Sequence, residues 1–169
     1  AMKDINDNPK ILMVDDKSEN LVVLEKTLSE LDADLYKATS GNEALALTLE
    51  HDFVVILLDV QMPGMNGYEM LETLSWDERT KYIPVIFITA NYADEQHELK
   101  GYECGAVDYL FKPINKEILL GKVKVFLELY EQKIQFKELN QRHQLILNAA
   151  GEGVIGLEPN GKINFTNPA

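Results

Sequence analysis

The sequence predicts an α/β protein: a doubly wound five-stranded parallel sheet in the order 2-1-3-4-5, followed by an extended C-terminal helix. Three observations lead there. Short runs rich in β-branched and aromatic residues alternate with stretches whose apolar residues recur at three- and four-residue spacing. Three of the runs are almost continuously apolar, as strands covered on both faces must be. Charged or hydroxyl residues follow most of the runs directly, so they collect on one rim.

In chain order, Lys10–Asp15 is the first run, and 19–31 follows as a helix with Leu21, Leu24, Leu28 and Leu31 on one face. Leu35–Ala38 is the second and most polar run, suited to a sheet edge. The third, Phe53–Leu58, and the fourth, Ile83–Ile88, are apolar enough to be central with the first. Val107–Phe111 is the fifth. The stretches 42–51, 67–76, 94–104 and 115–130 complete five βα units, the pattern of an open parallel sheet wrapped by helices. From Asn115 no strong breaker intervenes before about Asn148 apart from Gly121, whose cost in a helix interior is about 1 kcal/mol. Along that helix Ile118, Lys122, Val125, Leu129, Gln132, Phe136, Leu139, His143 and Ile146 form a mostly apolar stripe, which supports a parallel homodimer through the C-terminal helix. Gly153–Leu157 and Lys162–Phe165 flank Asn160-Gly161, a dipeptide suited to a tight hairpin turn. These boundaries give an N-terminal tail at 1–8, where Ala1 before Met2 reads as a cloning remnant, a first domain at 9–130, a linker helix at 131–148, and the truncated start of a second domain at 149–169.

Of 169 residues, 46% are hydrophobic and 26% charged, a globular balance. Sixteen Lys and Arg against 28 Asp and Glu leave a net charge of −12. That charge disfavours direct contact with nucleic acid or an anionic membrane surface. The longest wholly apolar run, Phe53–Leu58, is far short of the roughly 20 residues a membrane helix needs. A lone Cys104 excludes an internal disulfide and fits a cytoplasmic location.

In a doubly wound sheet, ligands bind beyond the carboxyl ends of the strands, where the strand order reverses. The ends of the first and third runs carry Asp15, Asp16 and Asp59; the fourth ends in Thr89 and the fifth in Lys112-Pro113. Three carboxylates on one rim repel: at about 4 Å and an effective dielectric near 20, each pair costs about 4 kcal/mol. A hard divalent cation relieves that conflict, and an all-oxygen set favours Mg2+. The histidines at 51, 97 and 143 have no ligand spacing. Lys112 and Thr89 add a cation and a hydroxyl donor able to hold phosphoryl oxygens. Together these groups make a phosphoryl-acceptor site with a carboxylate nucleophile. Asp16, three residues before Glu19, also reads as a helix N-cap, and Tyr109 can equally be an ordinary core aromatic.

Asp15-Asp16, Leu-Leu-Asp59-Val-Gln-Met-Pro-Gly-Met-Asn-Gly67, Ile-Thr89-Ala90 and Asp-Tyr109-Leu-Phe-Lys112-Pro113 occur in an order and spacing that resemble the receiver domain of two-component response regulators, a CheY-like domain of flavodoxin-like fold. The resemblance covers about residues 10–130. It implies that Asp59 is the phosphoacceptor, that Asp15, Asp16, Asp59 and the backbone carbonyl of Gln61 hold Mg2+, and that Lys112 pairs with the phosphoryl group. It further implies a cis Lys112–Pro113 bond, a Thr89–Tyr109 switch, and a histidine kinase or phosphotransfer protein as partner. Gln61 and Asn91 resemble the family's water-gating positions, and amides there predict slow or moderate loss of the phosphoryl group. The segment 147–167 resembles the opening of a PAS domain, so the switch is expected to act through the last helix on a PAS and output module, such as a diguanylate cyclase, a phosphodiesterase or a histidine-kinase core.

Two other functions compete. A Mg2+-dependent phosphohydrolase of the haloacid-dehalogenase type also uses an Asp nucleophile, but it wants a second Asp two residues on, where this chain has Gln61. A pseudo-receiver acting only as a binding module predicts a broken Asp/Lys set, and none of that set is missing.

Overall fold

The computed structural model describes residues 7–90, 108–149, 155–157 and 163–166. It divides into two compact units, Ala1–Glu128 and Leu129–Ala169.

The first unit is built on β1 (Lys10–Val14), β2 (Asp34–Ala38), β3 (Val55–Asp59), β4 (Val85–Thr89) and β5 (Asp108–Phe111), with α1 (Ser18–Leu28), α2 (Gly41–Glu50), α3 (Gly67–Ser75) and the start of α4 (Lys116–Ala149). All four strand pairings are parallel and the order is β2-β1-β3-β4-β5. The three apolar runs are therefore central, and the more polar β2 is an edge. Alternate strand residues feed two cores. Leu12, Val14, Ile56, Leu58 and Phe87 meet Ala44, Tyr68, Met70, Leu71 and Leu74 from the α2/α3 side. Ile11, Met13, Val55, Leu57, Ile86 and Ile88 meet Leu21, Leu24 and Leu28 of α1 and Leu119, Leu120 and Val123 of α4. Two covered faces are why these strands lack polar alternation.

Local chemistry sets the helix starts. Ser40 caps α2 by accepting from the Glu43 N–H at 3.1 Å, while the Glu43 carboxylate accepts from the Thr39 hydroxyl at 2.9 Å. Asn66 caps α3 by accepting from the Glu69 N–H at 2.9 Å, and Asn115 accepts from the Ile118 N–H at 3.1 Å at the start of α4. The N-cap expected of Asp16 is not formed. Lys17 holds the cap position of α1 and makes no side-chain cap bond. The reason lies one residue earlier: the Lys17 N–H donates to Asp15 Oδ1 at 2.9 Å, so the turn is closed by the neighbouring carboxylate.

The expected helix at 94–104 lies outside the described residues, as does the Asn160-Gly161 turn. In the second unit, α4 continues without a break from Leu129 to Ala149, and Ile155–Leu157 (β6) pairs antiparallel with Ile163–Thr166 (β7). No helix among the described residues is long and apolar enough to cross a membrane.

Candidate functional site

The sheet ladder runs on past the strands and pins the rim. The Asp15 N–H donates to the Ala38 carbonyl at 3.1 Å, the Val60 N–H to that of Ile88 at 3.2 Å, and the Lys112 N–H to that of Thr89 at 2.8 Å. Residues from four distant segments thus have fixed backbone positions on one edge. Asp15, Asp59 and Thr89 are all buried there.

Asp15, Asp16 and Asp59 each present a carboxylate oxygen to the same point, with these atoms within 4.8 Å of one another. Lys112 Nζ lies 3.4 Å from Asp15 Oδ2 and 3.7 Å from Asp59 Oδ1. The Asn20 side-chain amide donates to Asp15 Oδ2 at 3.0 Å, which with the Lys17 N–H holds that carboxylate from both oxygens. Asn20 was not legible as a site residue in the sequence; its only signal was a polar amide in the first turn of α1, on the side of the rim. Gln61 is exposed, and its backbone N–H bonds the Asp59 carboxylate. The Lys112–Pro113 bond is cis. Asn91 lies outside the described residues.

The electrostatics are unbalanced in one direction. Burial, then the adjacent Asp15 charge, push the Asp59 carboxyl from its ordinary 3.8 up to about 6, against the pull of Lys112 and the Gln61 N–H. One cation does not neutralise three carboxylates. Asp16 Oδ1 is moreover buried with no hydrogen-bond partner among the described residues. A buried, unpartnered carboxylate oxygen on a residue of a three-carboxylate cluster is what a hard divalent cation would satisfy, so the residues present fit Mg2+.

The loop after Asp59 is set by two glycines. Gly64 has φ of +76°, a conformation side-chain-bearing residues rarely adopt. Gly67 opens α3 so close to β3 that a Cβ there would stand 2.6 Å from the Asp59 carbonyl oxygen and 2.9 Å from Val60 Cα. Only glycine allows the helix to start against the acceptor residue's own backbone.

Thr89 lies two residues after Phe87 on β4, and Tyr109 pairs with Phe87 on β5. The Tyr109 ring is buried, 5.4 Å from the Phe87 ring, and its hydroxyl is 3.0 Å from the Tyr68 hydroxyl. Tyr68 is a further residue the sequence did not disclose, because an aromatic on the inner face of an amphipathic helix reads only as core.

Comparison with known proteins agrees with this architecture. The Response regulator receiver domain profile matches residues 11–124. Response regulator PleD of Caulobacter vibrioides is 38% identical over 133 residues, which are 79% of this chain and 28% of PleD. A "Probable cyclic di-GMP phosphodiesterase" of Vibrio cholerae is 35% identical over 145 residues, 84% of this chain and 32% of that protein. The chain thus spans about a third of the length of these two relatives. Protein PilH of Pseudomonas aeruginosa is 35% identical over 118 residues, 70% of this chain and 97% of PilH. The structure of chemotaxis protein CheY4 from Vibrio cholerae superimposes with a TM-score of 0.66 at 30% identity, covering 70% of this chain and 98% of CheY4. With the parallel 2-1-3-4-5 sheet and its acidic rim, these matches establish that the chain belongs to the response regulator receiver domain family.

Proposed function

We propose that this chain is the receiver of a phosphorelay in which Asp59 accepts a phosphoryl group from a histidine kinase or phosphotransfer protein. The observation that carries the reading is the meeting of Asp15, Asp16, Asp59 and Lys112 within bonding reach at the ends of three strands. A carboxylate oxygen of Asp59 attacks phosphorus, the phosphorus–nitrogen bond of the donor histidine breaks, and the leaving nitrogen keeps the electron pair and takes a proton. Asp59 must be ionised to attack, and with its carboxyl at about 6 the ionised form dominates at neutral pH. Asp15, Asp16, Asp59 and the Gln61 carbonyl would hold Mg2+, which supplies charge neutralisation on the transferring group. Lys112, already between Asp15 and Asp59, is placed to pair with a phosphoryl oxygen.

Thr89 gains a charged acceptor when Asp59 is modified, and with Tyr109 it forms the switch that α4 carries onward. The apolar stripe Ile118, Val125, Leu129, Phe136, Leu139 and Ile146 is exposed along α4 and supports a parallel homodimer. The β6–β7 hairpin fits the opening of a PAS domain, and the similarity to the probable cyclic di-GMP phosphodiesterase of Vibrio cholerae favours an output concerned with cyclic di-GMP. Amides at Gln61 and Asn91 orient water without deprotonating it, so the acyl phosphate persists for longer than a second.

Intact mass spectrometry after treatment with acetyl phosphate and Mg2+ tests the reading. One added phosphoryl group is expected, and none in Asp59→Asn. Labelling that survives in Asp59→Asn overturns it, and so does no labelling of the wild-type chain.

A further inference from the structure

Three donors from three segments hold the Asp15 carboxylate. The Lys17 N–H meets Oδ1 at 2.9 Å, and the Asn20 amide, from the first turn of α1, meets Oδ2 at 3.0 Å. Lys112 Nζ, from beyond β5, reaches the same Oδ2 at 3.4 Å and stands 3.7 Å from Asp59 Oδ1. A close charge-assisted N–H to carboxylate bond spans roughly 2.7–2.9 Å. The ammonium is therefore shared between two carboxylates and closed onto neither.

The Asn20 amide bears on that sharing. It occupies a lone pair of Asp15 Oδ2 and lies nearer to it than Lys112 does. Without it, Lys112 is the donor left on Oδ2 among the described residues, and the pull of Asp15 on the ammonium grows at the expense of Asp59. The placement of Asn20 serves this contact and not the helix. Lys17, Ser18 and Glu19 are exposed, whereas Asn20 is half-buried. Lys17 holds the cap position of α1, so Asn20 lies past it, where Asn is a poor helix former. The bond from the Asn20 backbone N–H to the Lys17 carbonyl, at 3.1 Å, is open to any non-proline residue at 20.

We propose that Asn20 is a positioning residue for phosphoryl transfer to Asp59, acting through Asp15: its amide steadies one carboxylate of the Mg2+ set and keeps Lys112 shared with the acceptor. This rests on the reading of Asp59 as the acceptor and of Lys112 as the partner of the phosphoryl group. The amide touches neither the phosphoryl group nor the attacking oxygen; it sets the geometry of the groups that do.

The test compares wild type with Asn20→Leu, which is close in size, suits a helix and has no amide. Isothermal calorimetry gives the Kd for Mg2+ with no phosphoryl donor present, and mass spectrometry gives the rate of labelling by acetyl phosphate at saturating Mg2+. Circular dichroism confirms that both chains are fully folded under those conditions, so a loss of stability alone moves neither quantity. The Kd is expected to rise about tenfold and the labelling rate to fall about tenfold, the lower end of what losing an outer hydrogen-bond partner of a metal-ligating group costs. A variant that matches wild type in either quantity overturns the proposal. Dependence on Asp15 is read in the Asp15→Ala background, where adding Asn20→Leu should slow labelling no further. A further tenfold loss there would mean that the amide acts by some route other than Asp15, which also overturns it. If Asp15→Ala labels too slowly to follow, the first comparison decides alone. A wild-type chain that takes up no phosphoryl group overturns the acceptor reading and with it the role of Asn20 in transfer; a labelled wild type matched by Asn20→Leu overturns the role of Asn20 only.

Discussion

The first three turns of α4 and its later turns are one continuous helix with two different fates. Leu119 and Val123 are fully buried against the sheet, whereas Leu139 and Ile146 are 64% and 68% exposed. Both stretches carry apolar residues at helical spacing; what differs is whether the described residues provide a surface opposite them. In the first unit, apolar residues are held by neighbours from strands β1, β3, β4 and β5 and from α1. Beyond Glu128 the same spacing of apolar residues leaves Phe136, Leu139, Leu145 and Ile146 facing water. Apolar periodicity therefore specifies a face to be covered, not the partner that covers it.

The largest expected effect probes that difference directly. Leu119→Ala removes a fully buried side chain and should lower the unfolding free energy of the first unit by about 2–5 kcal/mol. Leu139→Ala should change it by less than about 0.5 kcal/mol, because no buried contact is lost. Urea titration of both variants makes the comparison. Sedimentation velocity then tests the exposed stripe: Leu139→Glu is expected to shift a dimer to monomer while leaving the urea midpoint unchanged. A wild-type chain that sediments as a monomer breaks the homodimer reading and leaves the stripe to some other cover.

The next effect is electrostatic and belongs to the rim. An acid raised from 3.8 to about 6 on folding binds its proton more tightly in the folded chain than in the unfolded one. Below about pH 4 both forms are protonated and there is no penalty. Between about 4 and 6 the unfolded chain ionises first, so stability falls as pH rises, and the deficit persists above about 6. Two pKa units correspond to a deficit of about 3 kcal/mol at neutral pH. Without Mg2+, wild type should therefore lose stability from pH 4 to pH 7 relative to Asp59→Asn, and the variant should be the more stable at pH 7. Adding Mg2+ should stabilise wild type by about 2.7 kcal/mol at a concentration 100 times its Kd, which nearly cancels the deficit, and higher concentrations should reverse the order. Parallel pH profiles for the two proteins would show that Asp59 carries no such strain.

How much of this was legible in the sequence follows from which interactions are local. The strand runs were visible because burial on both faces writes itself as continuous Ile, Leu and Val. Their starts were less so: the runs at Phe53 and Ile83 begin two residues before β3 and β4 do. At β4 the cause is Pro84, which has no N–H to give and serves the sheet only through its carbonyl, accepting from the Ile56 N–H at 2.9 Å. Asp15, Asp16, Asp59, Thr89 and Lys112 could be placed on one rim because parallel strands all deliver their carboxyl ends to the same side. The distances were not legible, nor was the absence of an Asp16 cap, because both depend on which oxygen of Asp15 wins the Lys17 N–H. Tyr68 escaped entirely. Its hydroxyl meets a residue 41 positions away, and no spacing in a sequence marks such a pair.

The smallest effect returns to α4 and sharpens the comparison within it. Gly121 is exposed, and a Cβ added there meets nothing within 4 Å, so Gly121→Ala is free of strain. It should stabilise by about 0.5–1 kcal/mol through helix propensity alone. Asn140 is equally exposed on the later turns, and Asn140→Ala should give helix stability of similar sign and about 0.7 kcal/mol or less. The two gains need not appear in the same transition. Gly121 lies between Leu120 and Val123, which belong to the core under the sheet, so its gain should raise the urea midpoint of the first unit. The gain at Asn140 should appear only as helical content, measured by far-ultraviolet circular dichroism on warming, with that midpoint unmoved. If Asn140→Ala raises the midpoint as Gly121→Ala does, the later turns unfold cooperatively with the sheet, and the boundary near Glu128 is not an energetic one.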